Sequence, residues 1–203
     1  MPVTINGNGS ISGLSVGGLG AGVVNTATLA DGAATGIKQG AGSVIQVQSV
    51  TKTDDFSVSA NSTPQDVTGL TVNITPTSSS NKILVIVHVN ATANNSYAGS
   101  GFTLVRVDSG TATDIFKGDA DGSTSRFTLP ISGTNSDTGA NNGYPDTHCG
   151  SFLDSPSSTS AQTYKLQVYR HSGTVTVNKP FNDTDASYTG RGISTITAME
   201  VTQ

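Results

Sequence analysis

From Ser43 onward, apolar and polar positions alternate in runs of roughly 6–10 residues, separated by loops rich in Gly, Ser, Thr, Asn and Asp, as in a β-sandwich or barrel. The longest aliphatic run is Ile83 through Val87, inside the stretch NKILVIVHVNA (Asn81 to Ala91). Five consecutive apolar residues are too few for a membrane span or a free-standing helix, but they suit a strand. Ile83, Val85, Val87 and Val89 fall on one side of it, and Leu84, Ile86 and His88 on the other. Apolar character on both sides predicts a central strand covered on both faces.

Further strands are expected over 43–53, 66–75, 101–108, 113–118, 123–131, 147–154, 161–170, 173–179 and 192–202. Leu70, Val72 and Ile74 share one face of the second. Phe102 and Leu104 oppose Val105 and Val107 in the third. Phe127, Leu129 and Ile131 are predicted to point inward, as are Tyr164, Leu166 and Val168, with Lys165 and Gln167 outward. About nine or ten strands and no helix predict an all-β fold, an antiparallel β-sandwich of jelly-roll type.

Residues 1–42 follow a different rule. They hold many of the glycines, no aromatic residue, and single aliphatics set among small side chains: Ile11, Leu14, Val16, Leu19, Val23, Val24 and Leu29 among them. An imperfect repeat runs through LGAGVV, LADGAAT and IKQGAGS. Isolated aliphatics need a surface to bury against, and glycines let backbones approach closely. The expected organisation is therefore an extended Gly-rich N-terminal arm (1–42) for docking and oligomerisation, followed by a β-sandwich head (43–203). The arm's burial surface is a copy of itself or a larger body.

Composition narrows the partners. Charged residues make up 12% of the chain and the formal net charge is −4, against about 25% charged residues in ordinary soluble proteins. No Lys/Arg-rich face is available for nucleic acid and no basic amphipathic segment for lipid, so neither nucleic-acid binding nor membrane insertion is expected. The start MPVTINGNGS lacks the basic and apolar regions of a secretory signal. Cys149 is the sole cysteine and is expected to be a small buried hydrophobe.

Chemical motifs are sparse. The sequence contains no GxSxG elbow, HExxH pair, phosphate-binding Gly loop or CxxC, so no catalytic residue, cofactor or metal is expected. His148 and Cys149 are adjacent on a strand and therefore point to opposite faces. Asp119-Ala120-Asp121-Gly122 resembles the opening of a calcium loop but lacks the later ligands, and reads as a turn. Asn182-Asp183-Thr184-Asp185 is a comparably short fragment. Tyr97, Tyr144 and Tyr188 sit in polar loops, where exposed rings either stack on sugars and anchor partners or pack a loop back on its own domain. They are the candidate receptor-contact residues. The long loop around 133–146 is a further place for function.

Two phrases carry a family resemblance. INGNGSISGLSVGGLGAGVVNTATLADGAATGIKQGAG is similar to the Gly/Ala/Leu-rich leader of tail-fibre and other virion-surface proteins of tailed phages, especially marine ones. SFLDSPSSTSAQTYKLQVYRHSGTVTVNK and the ending RGISTITAMEV resemble the C-terminal module that follows such leaders. The resemblance implies a non-enzymatic virion structural protein, made in the host cytoplasm and placed on the virion surface. It further implies a homotrimer with a β-rich head, contacting other capsid or tail proteins and, in host attachment, a host surface glycan. Some forty residues of arm reach about 130–140 Å at most, which suits a short tail fibre or appendage, or alternatively a capsid decoration (cement) protein. A stand-alone carbohydrate-binding module is the reading from a different class. With 5% aromatic residues and no Trp, a strong aromatic platform is not expected.

Overall fold

The structure, a computed structural model, describes residues 4–5, 11–12, 40–59, 63–94, 99–131, 144–187 and 189–203. The chain divides into two units, Met1–Gln39 and Gly40–Gln203. In the first, β1 (Thr4–Ile5) and β2 (Ile11–Ser12) pair antiparallel, with Ile5 opposite Ile11. Leu14, Val16, Leu19, Val23, Val24 and Leu29 of the predicted arm lie outside the described residues.

The second unit is all-β. Its strands are β3 (Val44–Lys52), β4 (Phe56–Ser59), β5 (Gln65–Ile74), β6 (Lys82–Ala93), β7 (Ser100–Asp108) and β8 (Thr111–Ile115). After these come β9 (Leu129–Pro130), β10 (Asp146–Asp154), β11 (Gln162–Arg170), β12 (Thr174–Val177) and β13 (Ser194–Val201). One sheet runs β3-β13-β6-β12-β4, with β10 on the other edge of β6; the second runs β5-β11-β7-β8, with β9 also on β7. All pairings are antiparallel. The nested pairs β3–β13, β5–β11, β6–β10 and β7–β8 give a jelly-roll sandwich.

Alternation builds the core as the sequence predicts. Ile83, Val85, Val87 and Val89 of β6 are fully buried, facing Leu70, Val72 and Ile74 of β5 and Tyr164, Leu166 and Val168 of β11 in one apolar cluster. Each such side chain contributes about 1.5–3 kcal/mol relative to exposure. Gly69, at φ +86°, lies within the stretch of β5 where its register against β11 shifts between Lys165 and Gln167. A left-handed residue in a bulge favours glycine.

Polar side chains inside the sandwich are tied down. Asp154 of β10 accepts hydrogen bonds from Arg106 of β7 and from the Tyr164 hydroxyl of β11, so one carboxylate joins the two sheets. Glu200, fully buried, accepts from the Thr77 amide and hydroxyl and from Asn81 Nδ2, which fixes the turn between β5 and β6.

Four expectations are corrected. β6 is central in its sheet, yet only one of its faces is covered: Ile86 is 37% exposed and Leu84 and His88 are half-buried, because no chain segment crosses that side among the described residues. The strand covered on both faces is instead β7, where Ser100 through Val105 are buried. Phe127 does not point into the core. The 123–131 segment is a strand only at Leu129–Pro130, and the Phe127 ring lies over Gly101 beside Tyr169, at a centroid distance of 6.2 Å. Gly101 pairs with the outward-facing Tyr169 and, lacking a side chain, leaves the slot that the ring fills. Cys149 is exposed rather than buried, since it faces away from the core while its neighbour His148 turns toward Phe102. The short strand β4 was not foreseen.

Candidate functional site

The loops at one end of the sandwich form an open polar concavity. Their foundation is a pair of asparagines. Asn178, fully buried at φ +62°, follows β12 and donates from Nδ2 to the carbonyls of Lys52 and Asp54, both at 2.9 Å. Its Oδ1 accepts from the Ser194 hydroxyl at 2.6 Å, and its amide donates to the Asn90 carbonyl at 2.8 Å. Asparagine tolerates this left-handed backbone better than most residues, and its short amide can serve two chain segments at once. Asn90 in turn accepts from the Thr147 hydroxyl at 2.8 Å and donates to the Ile193 carbonyl at 2.5 Å. Together they pin both ends of the 179–193 loop to β3 and β6.

The loop folds on itself above this base. The Thr189 hydroxyl bonds to the carbonyls of Thr184 and Ala186, at 2.8 and 2.9 Å. Arg191 pairs with Asp183 and stands 3.7 Å from Asp55, which Lys179 holds at 2.6 Å. The Lys179 hydrogen bond, with the charges of Lys179 and Arg191, keeps the Asp55 carboxyl below its ordinary value despite some desolvation. The result is an open cleft of about 400 Å³ lined by Asp183, Thr184, Asp185, Ala186, Thr189 and Arg191.

Tyr144 stands beside the cleft. Its ring packs against Gly190, where an added Cβ would sit 2.4 Å from two ring carbons, yet the side chain remains 63% exposed. Both readings of a loop tyrosine thus apply at once: the ring staples its loop and still offers a face to solvent. Carboxylates, a guanidinium and hydroxyls next to an open aromatic face can hydrogen-bond and stack on a polyhydroxylated ligand. The lining residues include no His or Cys, and the Asp183 carboxylate is committed to Arg191. Tyr97 and Tyr188 lie outside the described residues.

Other candidates are dispersed. Asp119 and Asp121 sit in an exposed turn closed by the Thr124 amide on the Asp121 carbonyl, and no cluster of three His, Cys, Asp or Glu residues fit for a metal occurs among the described residues. His148 is half-buried against Phe102, and desolvation holds its pKa below the ordinary value against the opposing charge of Asp146. The Arg191–Asp183 closure was missed in the sequence. Its only signal was one arginine eight residues after an acidic turn.

No protein-family model matches the chain, and no curated protein matches it in sequence. Solved structures similar to it include the Eiger TNF of S. frugiperda, at 13% identity over 77% of this chain and 92% of that one, with a TM-score of 0.40. The Gt strain of infectious bursal disease virus is similar at 12% identity over 78% of this chain, with a TM-score of 0.39. A VP2 subviral particle of the same virus gives 12% identity and a TM-score of 0.38. The chain spans only 38% and 37% of the two viral chains.

Proposed function

We propose that this protein is a non-enzymatic structural component of a phage virion: a homotrimeric short fibre or surface appendage, held to the particle by residues 1–42, with the jelly-roll head projecting for host attachment. The observation that carries the reading is the division of the chain into a self-contained jelly roll, Gly40–Gln203, and a Gly-rich unit, Met1–Gln39, of single aliphatics among small residues. The resemblance of that leader to those of virion-surface proteins supports it. Burial of the leader's aliphatics against the particle and between copies supplies docking energy at about 25 cal/mol per Å² of apolar area. Tyr144 and the Asp183–Arg191 cleft are the head's contact for a host surface glycan.

Deleting residues 1–42 tests the docking role. The truncated chain is expected to be absent from particles assembled in infected cells. Incorporation at normal copy number would refute it. Copy number on intact particles separates an appendage, present in low number, from a capsid decoration subunit, present on the order of once per shell subunit.

A further inference from the structure

The two outer faces of the sandwich are built on different rules. On the β5-β11-β7-β8 sheet, the outward side chains of β5 and β11 are mostly polar and paired: Lys165 and Gln167 both donate to Asp66 at 2.8 Å, and Thr163 donates to Asn73 at 2.6 Å, while Phe127 and Tyr169 cover one end. This is the usual solvated side of an antiparallel sheet. The outer face of the β3-β13-β6-β10 sheet breaks that rule. Its pairings align Val47, Met199, Leu84 and Leu153 in one row across all four strands. The adjacent row is Ser49, Thr197, Ile86 and Ser151, in which Ser49 and Thr197 hydrogen-bond to each other at 2.7 Å. A third row adds two threonines, His88 and Cys149, and no Asp, Glu, Lys or Arg occurs in any of the three.

The exposed aliphatics gather on this face. Val47 is 53% exposed, Leu153 46% and Ile86 37%, and Val44, opposite Val201 at the rim, is 48% exposed. A clustered aliphatic surface, with Lys82 opposite Val201 at its rim, is a contact surface in search of a cover. Four strands spaced about 4.8 Å apart, along the nine residues of β6 from Lys82 to Asn90 at about 3.3 Å each, span on the order of 600 Å² in projection, of which the three uncharged rows make up about two thirds. Side-chain relief brings that toward the roughly 800 Å² per partner that stable complexes bury.

We propose that this face is covered by a second copy of the same chain. The homo-oligomer belongs to the function proposed above, and the inference assigns its interface. Charge selects the occupant. The chain carries a net charge of −4, so copies repel wherever charged surfaces meet. Across the three central rows they approach without desolvating an ion or opposing like charges, and the nearest charge on the face, Lys82 opposite Val201, stands at its rim. A partner recruited by opposite charge would find nothing to pair with here. An identical copy brings a surface that is equally aliphatic and, in those rows, equally free of charge.

The test uses the full-length chain and two single variants, Ile86→Lys and Ser151→Glu, the second at an exposed edge-strand position that leaves the core untouched. Sedimentation velocity reads the oligomeric state, far-UV circular dichroism reads the fold, and the reaction of Cys149 with a maleimide reports cover over the third row. The expected result is an oligomer in which Cys149 reacts severalfold more slowly than in either variant, with both variants folded and monomeric. If folded Ser151→Glu remains oligomeric, or if Cys149 of the wild-type oligomer reacts as fast as an open thiol, another surface joins the copies. That result overturns this inference while leaving the virion role standing, since the latter is judged by incorporation into particles. A wild-type chain that stays monomeric at high concentration overturns it as well.

Discussion

The Tyr164 hydroxyl donates to Asp154 Oδ2 at 2.8 Å across the sandwich, from β11 of one sheet to β10 of the other. Burial, reinforced by the hydrogen bond to Asp154 and its charge, pushes the phenol above its ordinary pKa, which favours the neutral, donating form. Arg106 completes the site at 2.8 Å. Asp154→Ala is expected to cost about 2–3 kcal/mol, because it strands a buried hydroxyl and a partly buried guanidinium together. Tyr164→Phe should cost about 1 kcal/mol, since only a donor is lost. Urea unfolding of the two variants and the double mutant measures both, and the costs should not add.

Stability should depend on pH through His148. Desolvation favours its neutral ring in the fold, below the ordinary value of 6.5. The unfolded chain therefore binds the proton more readily. The stability that this group contributes is complete above 6.5 and is lost as pH falls from there through the lower folded value. The urea midpoint of the wild type is expected to decline over this interval, and His148→Gln should flatten the decline.

On the attachment reading, Tyr144→Ala should weaken adsorption of particles to host cells while lowering stability by about 1 kcal/mol, the loss of the ring's packing on Gly190. Gly190→Ala provides an independent route to the same effect. Its Cβ would meet the ring at 2.4 Å and push it from its seat, leaving the tyrosine chemically intact but misplaced. Adsorption that is unchanged in both variants would remove Tyr144 from the contact.

Gly101 and Phe127 form a lock of the same kind on the opposite sheet. A Cβ at Gly101 would lie 2.2 Å from Phe127 Cγ, so Gly101→Ala must expel the ring and is expected to cost about 1–3 kcal/mol. In a Phe127→Ala background the same change should cost much less, because the clash is gone. Thermal or urea unfolding of the four proteins checks the coupling.

What the sequence disclosed was alternation. Ile83, Val85, Val87 and Val89, like Leu70, Val72 and Ile74, declared their shared face because a strand's side chains repeat every two residues. What it withheld was cover. Leu84 and Ile86 read as a second buried side, yet whether anything lies over a face depends on segments distant in the chain, or on another chain. Phe127 shows the same limit. Its period matched Leu129 and Ile131, but the slot that takes its ring exists only because Gly101, far back in sequence, pairs with Tyr169. At the loop end, Asn178 and Arg191 carried no motif, and their roles come from where β12 ends and β13 begins.

The pairing of β3 with β13 places the earliest strand of the head beside its last, with the Gly42 amide donating to the Thr202 carbonyl at 2.9 Å. On the ribosome, Val44–Lys52 must therefore wait for nearly the whole of the head to be synthesised before it finds its neighbour. Because β13 also sits between β3 and β6, the sheet stays unzipped through its middle until that moment. Pairings this remote in sequence close slowly, on the millisecond-to-second scale of sandwich proteins. Newly made chains should thus pass through an interval with open strand edges, when chaperones have their best opportunity to act.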